Sequence, residues 1–248
     1  MKKIDLRTES KRMLADVYTP VSIYLRLRDR FRDTILLEST DAHVAENSYS
    51  FICIGAIGGI EVKDAKTIEI KYPNQDPIKQ DVTTAQIDNQ LWSYMQGYQV
   101  VPHAHKETSF AQGLFGYTSF DAIPLFETIS FADAKKTNVP LIRYRLYQYV
   151  IVFDHYKDEL FICQNLLANE QADTSLIESL IRNKDVPQFP FTPVGDERSN
   201  VSDEVYKAMV KRVFNTVCVA MYFKLYLVDV LSNPLKGMSL MSTEHFEV

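Results

Sequence analysis

Leu36-Leu37-Glu38-Ser39, followed ten residues later by Tyr49-Ser50-Phe51-Ile52-Cys53-Ile54, is the stretch from which the rest of the chain is read. An apolar pair runs into a carboxylate and a hydroxyl. A turn-forming patch with Asp41, Asn47 and Ser48 then leads to a second apolar run. Side chains of a strand alternate between faces, so Leu37 and Ser39 share one face and Leu36 and Glu38 the other. A strand that ends this way buries its leucines and leaves two polar groups at a rim. The carboxylate only accepts hydrogen bonds, whereas the hydroxyl both donates and accepts. Such a rim suits a ligand with an ammonium and other polar atoms. On pattern alone, Glu-Ser at a strand end is more often a surface turn.

The same residues carry a family resemblance. Thr19-Pro20-Val21-Ser22, Tyr24-Leu25, Leu27-Arg28, Leu36 to Ser39 and Tyr49 to Ile52 together resemble the N-terminal region of the large subunit of anthranilate synthase (component I). Gln112-Gly113-Leu114-Phe115-Gly116-Tyr117-Thr118-Ser119-Phe120-Asp121 is similar to a second segment of that family, with Leu114 where a further glycine is usual. A long strand ending in Asp154-His155 is a third. The resemblance implies conversion of chorismate to anthranilate, the first committed step of tryptophan synthesis. It also implies a glutamine amidotransferase subunit (component II) that supplies ammonia, and Mg²⁺ in the full-length family member. In the family the Leu-Leu-Glu-Ser segment belongs to the pocket of the feedback inhibitor. This implies that Ser39 contacts L-tryptophan with Glu38 beside it, and that Leu37, Tyr49, Ser50 and Phe51 line the pocket. No catalytic role passes to Asp121, which reads as a turn residue. Aminodeoxychorismate synthase component I shares much of this pattern and stays open as an alternative, as does a module that docks the amidotransferase.

Composition narrows the classes. The chain has 248 residues and a formal net charge of −5, enough for one large domain. No basic face suggests nucleic acid, and no apolar run reaches the length of about eighteen residues expected of a membrane span. Met1-Lys2-Lys3-Ile4-Asp5 lacks the apolar core of a signal peptide. Cys53 and Cys163 sit in apolar runs and read as small buried hydrophobes, Cys218 stands apart, and a cytoplasmic location is the default. His103 and His105 lack a nearby third ligand, so no metal site is expected.

The local patterns predict an α+β fold with largely antiparallel sheets and flanking helices. The resemblance adds two packed sheets between helix layers, of which this chain would hold a part. Short β-favouring runs lie at 35–37, 49–54, 60–62 and 67–72, and Tyr147 to Cys163 forms a hairpin. Gly55, Gly58 and Gly59 predict a turn or bulge, since their spacing fits no phosphate loop. Helices are expected around 10–16, 21–32, 83–98 and 173–184, with Trp92 in the core. Arg26, Arg28 and Arg30 read as a solvated helix face, and Asp154-His155 as a turn carboxylate and a surface imidazole. Tyr117 and Phe120 are expected to fill the space beside Gly113 and Gly116.

The expected organisation is an N-terminal domain at 1–186, a proline-containing linker at 187–200, the start of a chorismate-binding domain at 201–212, and a tail at 213–248. The family pattern stops after Arg212. If each codon from Cys218 to Asn233 is regrouped by one base, permitted codons spell Arg-Gly-Asp-Val-Phe-Gln-Ile-Val-Phe-Ser-Arg-Arg-Phe-Glu-Gln, which is the family motif missing at this point. The expectation is a shifted reading frame, a truncated family member without its chorismate- and Mg²⁺-holding carboxylates, weakened or lost tryptophan binding, and no catalysis by this chain alone.

Overall fold

The computed structural model describes residues 3–38, 48–101, 106–129, 139–183, 185, 190, 192–195, 198–219, 231–232 and 235–236. The chain divides into two compact units, Met1–Val186 and Pro187–Val248.

The first unit is built on β1 (Ile4–Leu14), β2 (Ile35–Glu38), β3 (Tyr49–Val62), β4 (Thr67–Lys71), β5 (Ile78–Asp81), β6 (Tyr98–Val100), β7 (Phe115–Thr118), β8 (Ile142–Asp154) and β9 (Glu159–Leu166). They form one nine-stranded sheet in the order β5-β4-β3-β8-β9-β1-β6, with β2 also paired to β3 and β7 to β8. Every pairing is antiparallel except β1 with β6. The α+β, mostly antiparallel expectation is met. The two packed sheets implied by the resemblance are represented, among the described residues of this unit, by one continuous sheet.

Helices α1 (Pro20–Leu27), α2 (Ile87–Gln96), α3 (Lys106–Ala111) and α4 (Ser175–Arg182) pack against it. α1 starts where the sequence marks it. Pro20 occupies the first turn, where a missing N–H costs nothing. Thr19 Oγ1 accepts the Ser22 N–H at 3.1 Å, and Ser22 Oγ accepts the Thr19 N–H at 3.3 Å. Two otherwise orphaned donors are thereby satisfied.

The core has three clusters. Ile52, Ile54, Ile151, Phe153, Leu160 and Ile162 lie with Ile23 and Leu27 of α1 and Ile177, Leu180 and Ile181 of α4. Cys53, Val150, Val152, Phe161 and Cys163 lie with Ala111 of α3. Ile60, Val62, Ile68 and Ile142 lie with Ile87 and Tyr94 of α2. Each of the fully buried aliphatic side chains contributes about 1.5–3 kcal/mol by leaving water. Burial also pushes the Cys53 thiol up, and the Cys163 thiol up to about 12.

β3 is longer than the two separate runs expected from the sequence. It continues through the glycine cluster by a bulge, where the register with β8 shifts between Ala56 and Gly58. Gly55 has φ +70°, a conformation that a side chain disfavours. Cys53 and Ala56 meet in the same cluster although they are three residues apart, which a regular strand does not allow. The reversal falls where Gly55 takes its positive φ, one residue before the register shift begins.

Three local expectations are corrected. Residues 10–14 belong to β1, not to a helix, because β9 pairs with them from Arg7 to Leu14. Trp92 is 61% exposed, since α2 turns Ile87, Leu91 and Tyr94 inward instead. Phe120 is 71% exposed and begins a short 3-10 turn at Phe120–Leu125 that buries Ala122 and Leu125.

In the second unit α5 (Asp203–Val219) begins at Ser202, whose Oγ accepts the Val205 N–H at 3.4 Å and whose carbonyl accepts the Tyr206 N–H at 2.9 Å. Two short antiparallel pairs accompany it, Thr192–Pro193 with Leu235–Lys236 and Arg198–Ser199 with Leu231–Ser232. Among the described residues no helix is long and apolar enough to cross a membrane.

Candidate functional site at the rim of the sheet

The site expected from the sequence lies where β2 and β3 end side by side. Leu36 pairs with Ile52, Leu37 with Phe51 and Glu38 with Ser50. Directly opposed residues of an antiparallel pair point to the same face. The candidate residues are therefore divided by the sheet. Glu38 and Ser50 lie on the side of α1 and α4, and Leu37 and Phe51 on the side of α3. Ser39, the residue expected to touch tryptophan, lies outside the described residues, as do His103 and His105.

On the first side Glu38 is exposed and Ser50 is buried. Ser50 Oγ stands 2.7 Å from His155 Nε2, and the His155 ring stacks on Phe153 with ring centres 6.2 Å apart. The His155 N–H donates to the Ser48 carbonyl at 3.1 Å. The β3–β8 register, Ser50 against Phe153, brings these groups together across 105 residues. Sequence reasoning treated His155 as a surface imidazole. The ring is exposed, yet it covers Ser50. The usable signal was the pair of long apolar runs at 49–54 and 147–153, which only needed to be paired.

On the second side Tyr49, Phe51 and Phe110 form an aromatic group. Their ring centres are 5.1 Å apart for Tyr49–Phe110 and 5.8 Å for Phe51–Phe110. The Lys106 ammonium lies 5.4 Å from the Tyr49 ring centre and 5.5 Å from that of Phe110. These are distances at which a ring face attracts a cation. Burial and the nearby Asp154 and Glu107 carboxylates raise the pKa of the Tyr49 phenol.

Asp154 is on this second side, opposite to its neighbour His155. Its carboxylate is buried and accepts the N–H groups of Tyr156 and Lys157, each at 3.1 Å, so it orders the hairpin turn as expected. Lys157 Nζ bridges Asp154 Oδ2 and Glu107 Oε1, both at 3.1 Å. This bond ties the turn to α3 and raises the pKa of Lys157. For Glu107 burial works against ionisation, but its backbone N–H and Lys157 outweigh it and hold the carboxyl below its ordinary range. Next to this cluster runs a groove of about 920 Å³ lined by Thr8, Ser10, Arg12, Val101, Glu107 and Lys157, among others.

At the far end of the same strands Glu61 is buried against two guanidiniums. Its Oε2 accepts from Arg143 Nε at 2.9 Å and from Arg145 Nη2 at 2.7 Å. Beside them Asp33, Ile35, Tyr117 and Tyr147 enclose a cavity of about 160 Å³.

Mg²⁺, implied by the resemblance, needs several oxygen ligands. Among the described residues no group of three or more His, Cys, Asp or Glu side chains is placed to hold a metal ion.

The chain matches the family model for chorismate binding enzymes over residues 34–246. It is similar to anthranilate synthase component 1 of Lactococcus lactis, with 24% identity over 176 residues, 70% of this chain and 36% of the relative. With that of Thermus thermophilus it shares 24% over 236 residues, 93% of this chain and 48% of the relative. With that of Acinetobacter calcoaceticus it shares 28% over 163 residues, 61% of this chain and 31% of the relative. A solved structure of anthranilate synthase component I from Streptococcus pneumoniae aligns with a TM-score of 0.45 and 20% identity, covering 85% of this chain and 46% of that one. The chain thus spans about a third to a half of the length of the curated relatives it matches. Because the family model covers well over half of the residues, the chain belongs to the chorismate binding enzyme family.

Proposed function

We propose that this chain is the N-terminal, tryptophan-sensing part of an anthranilate synthase component I, the subunit that uses chorismate, with glutamine or ammonia, to make anthranilate and pyruvate. The observation that carries the reading is the exposed end of β2. It delivers Glu38 to the rim of a sheet in a chorismate-binding family chain. A carboxylate at that place can hold the ammonium of a free amino acid. Regulation then follows from linkage. Tryptophan must bind two states of the whole subunit with different affinity, and chorismate must weaken tryptophan binding by the same factor.

By itself the chain is proposed to bind tryptophan weakly and to lack catalysis, with the amidotransferase subunit as the partner of the whole protein. The shifted reading frame belongs to this proposal. The family match runs on to residue 246, through the stretch that codon regrouping reads as out of frame, and this weighs against the shift. Sequencing of the locus decides it: unambiguous in-frame reads beyond Arg212 remove the idea.

Calorimetric titration of the full chain with L-tryptophan tests the sensing role. Binding that Glu38→Gln weakens supports it, and heat indistinguishable from buffer overturns it. Anthranilate fluorescence developing from chorismate, ammonia and Mg²⁺ with this chain alone refutes the absence of catalysis. Tryptophan that co-purifies and does not exchange favours the aminodeoxychorismate synthase alternative.

A further inference from the structure

The cavity of about 160 Å³ beside Glu61 takes its walls from the pairing of β7 with β8. Tyr117 stands opposite Arg143 and Phe115 opposite Arg145, and opposed residues share a face. Tyr147 closes the cavity farther along β8, with its ring centre 6.5 Å from that of Phe115 and its ring edge-on to it. Ile35 closes it from the start of β2, and Asp33 from the segment just before that strand. The volume is close to that of a cavity of about 150 Å³ that takes a benzene ring.

Polar groups around this space have bonding capacity to spare. Tyr147 is 4% exposed, yet its hydroxyl has no hydrogen-bond partner among the described residues. Buried polar groups are as a rule hydrogen-bonded, so this one calls for a partner from outside the chain. Glu61 engages Nε of Arg143 and one terminal nitrogen of Arg145, which leaves both terminal nitrogens of Arg143 without a partner among the described residues. The Asp33 carboxylate has no ion pair or hydrogen bond among them either. A doubly charged anion such as phosphate would meet Glu61 and Asp33 as like charges. A single carboxylate with an N–H donor beside it suits the whole set. Its two oxygens match the fork of a guanidinium, its N–H reaches Asp33, and a flat ring on the same molecule lies against Phe115 and Tyr147.

We propose that this cavity binds an aromatic carboxylate that carries an adjacent amino group, with the carboxylate on Arg143 and the Tyr147 hydroxyl and the amino group on Asp33. Anthranilate is the simplest molecule of this class. That it is the natural occupant rests on the proposed reaction, of which it is the product; the binding itself does not. The cavity lies on the α3 side of the sheet, with Ile35, Phe115 and Tyr147, whereas Glu38 lies on the other side. It is therefore a product-responsive site separate from the rim assigned to tryptophan.

Fluorescence anisotropy of anthranilate, titrated with the full chain at neutral pH, tests it. A saturable rise is expected, reversed by benzoate and not by aniline, which lacks the carboxylate. Tyr147→Phe removes only a hydroxyl that bonds to no described residue, and is expected to weaken binding about ten-fold. Arg143→Gln removes the paired donors to the carboxylate, and is expected to weaken binding about a hundred-fold. Asp33→Asn keeps a residue type that tolerates the φ of +54°. It is expected to weaken anthranilate about three-fold and to leave benzoate unchanged. Anisotropy that stays at the value of free anthranilate overturns the proposal. So does binding that Tyr147→Phe and Arg143→Gln both leave unchanged, or that aniline reverses as well as benzoate does. If Arg143→Gln fails to fold, Tyr147→Phe and the Asp33→Asn comparison still decide. The tryptophan titration reads Glu38 on the other side of the sheet, so either result can fail without the other.

Discussion

Glu61→Gln puts the buried ion cluster to the test. Glu61 is 5% exposed, and its one oxygen receives both Arg143 and Arg145. Glutamine keeps the shape and one acceptor but removes the charge. Arg145, whose side chain is 16% exposed, then lies in the sheet without its counter-ion. Breaking a buried pair from one side costs about 3–5 kcal/mol. Arg143 is 41% exposed and is screened by water, which discounts the cost to about 2–3 kcal/mol. The pH dependence follows from the same geometry. Burial alone raises the pKa of the Glu61 carboxyl, but the Arg143 hydrogen bond and the charges of both guanidiniums outweigh it and bring it below its ordinary range. A lowered folded-state pKa contributes stability above the unfolded value and loses it as the pH falls through the folded one. Urea unfolding at neutral pH is therefore expected to separate wild type from Glu61→Gln fully, and the gap is expected to close below about pH 4, where carboxylates protonate. Equal stability of the two proteins at neutral pH, or a gap that persists unchanged in strong acid, would falsify this account.

Four further outcomes are expected. A Cβ on Gly116 would lie 1.8 Å from the Arg143 carbonyl oxygen, so Gly116→Ala must push β7 off β8, at a cost of about 3 kcal/mol or more in urea unfolding. At Gly55 the nearest atom would be 3.6 Å away, so Gly55→Ala is expected to cost only the positive φ, about 1–2 kcal/mol. Trp92 is the only tryptophan and is exposed, so the intrinsic emission is expected to resemble that of indole in water and to be quenched readily by acrylamide; blue, protected emission would contradict the packing of α2. Cys53 and Cys163 are expected to resist alkylation until the protein unfolds, because burial keeps both thiols protonated and out of reach, and rapid labelling of either in the folded protein would show the sheet open at that point.

Much of the fold is legible in residue order because its signals are local. Thr19-Pro20 sets the start of α1 through two side-chain bonds and a fixed φ. The hairpin of β8 and β9 follows from two apolar β-favouring runs around a turn that Asp154 orders. Leu36 to Glu38 was readable as a strand for the same reason, and so was the alternation that divides Leu37 from Glu38. The misread elements are those where a distant partner decides. Residues 10–14 have the short polar-to-apolar pattern of a helical turn, and β9, about 150 residues away, makes them a strand. Trp92 has the right spacing for an inner helix face, but a helix has several candidate faces, and Tyr94 occupies the one that meets β3 and β4.

The family, the antiparallel strand pattern and the polar end of β2 were set by the sequence itself, since each rests on neighbouring residues and on alternation along one strand. Tertiary structure alone decided that His155 covers Ser50 and that Lys157 joins Asp154 to Glu107. Those contacts come from strand register, which is a relation between segments far apart in the chain. A shift of one residue would turn every side chain to the other face.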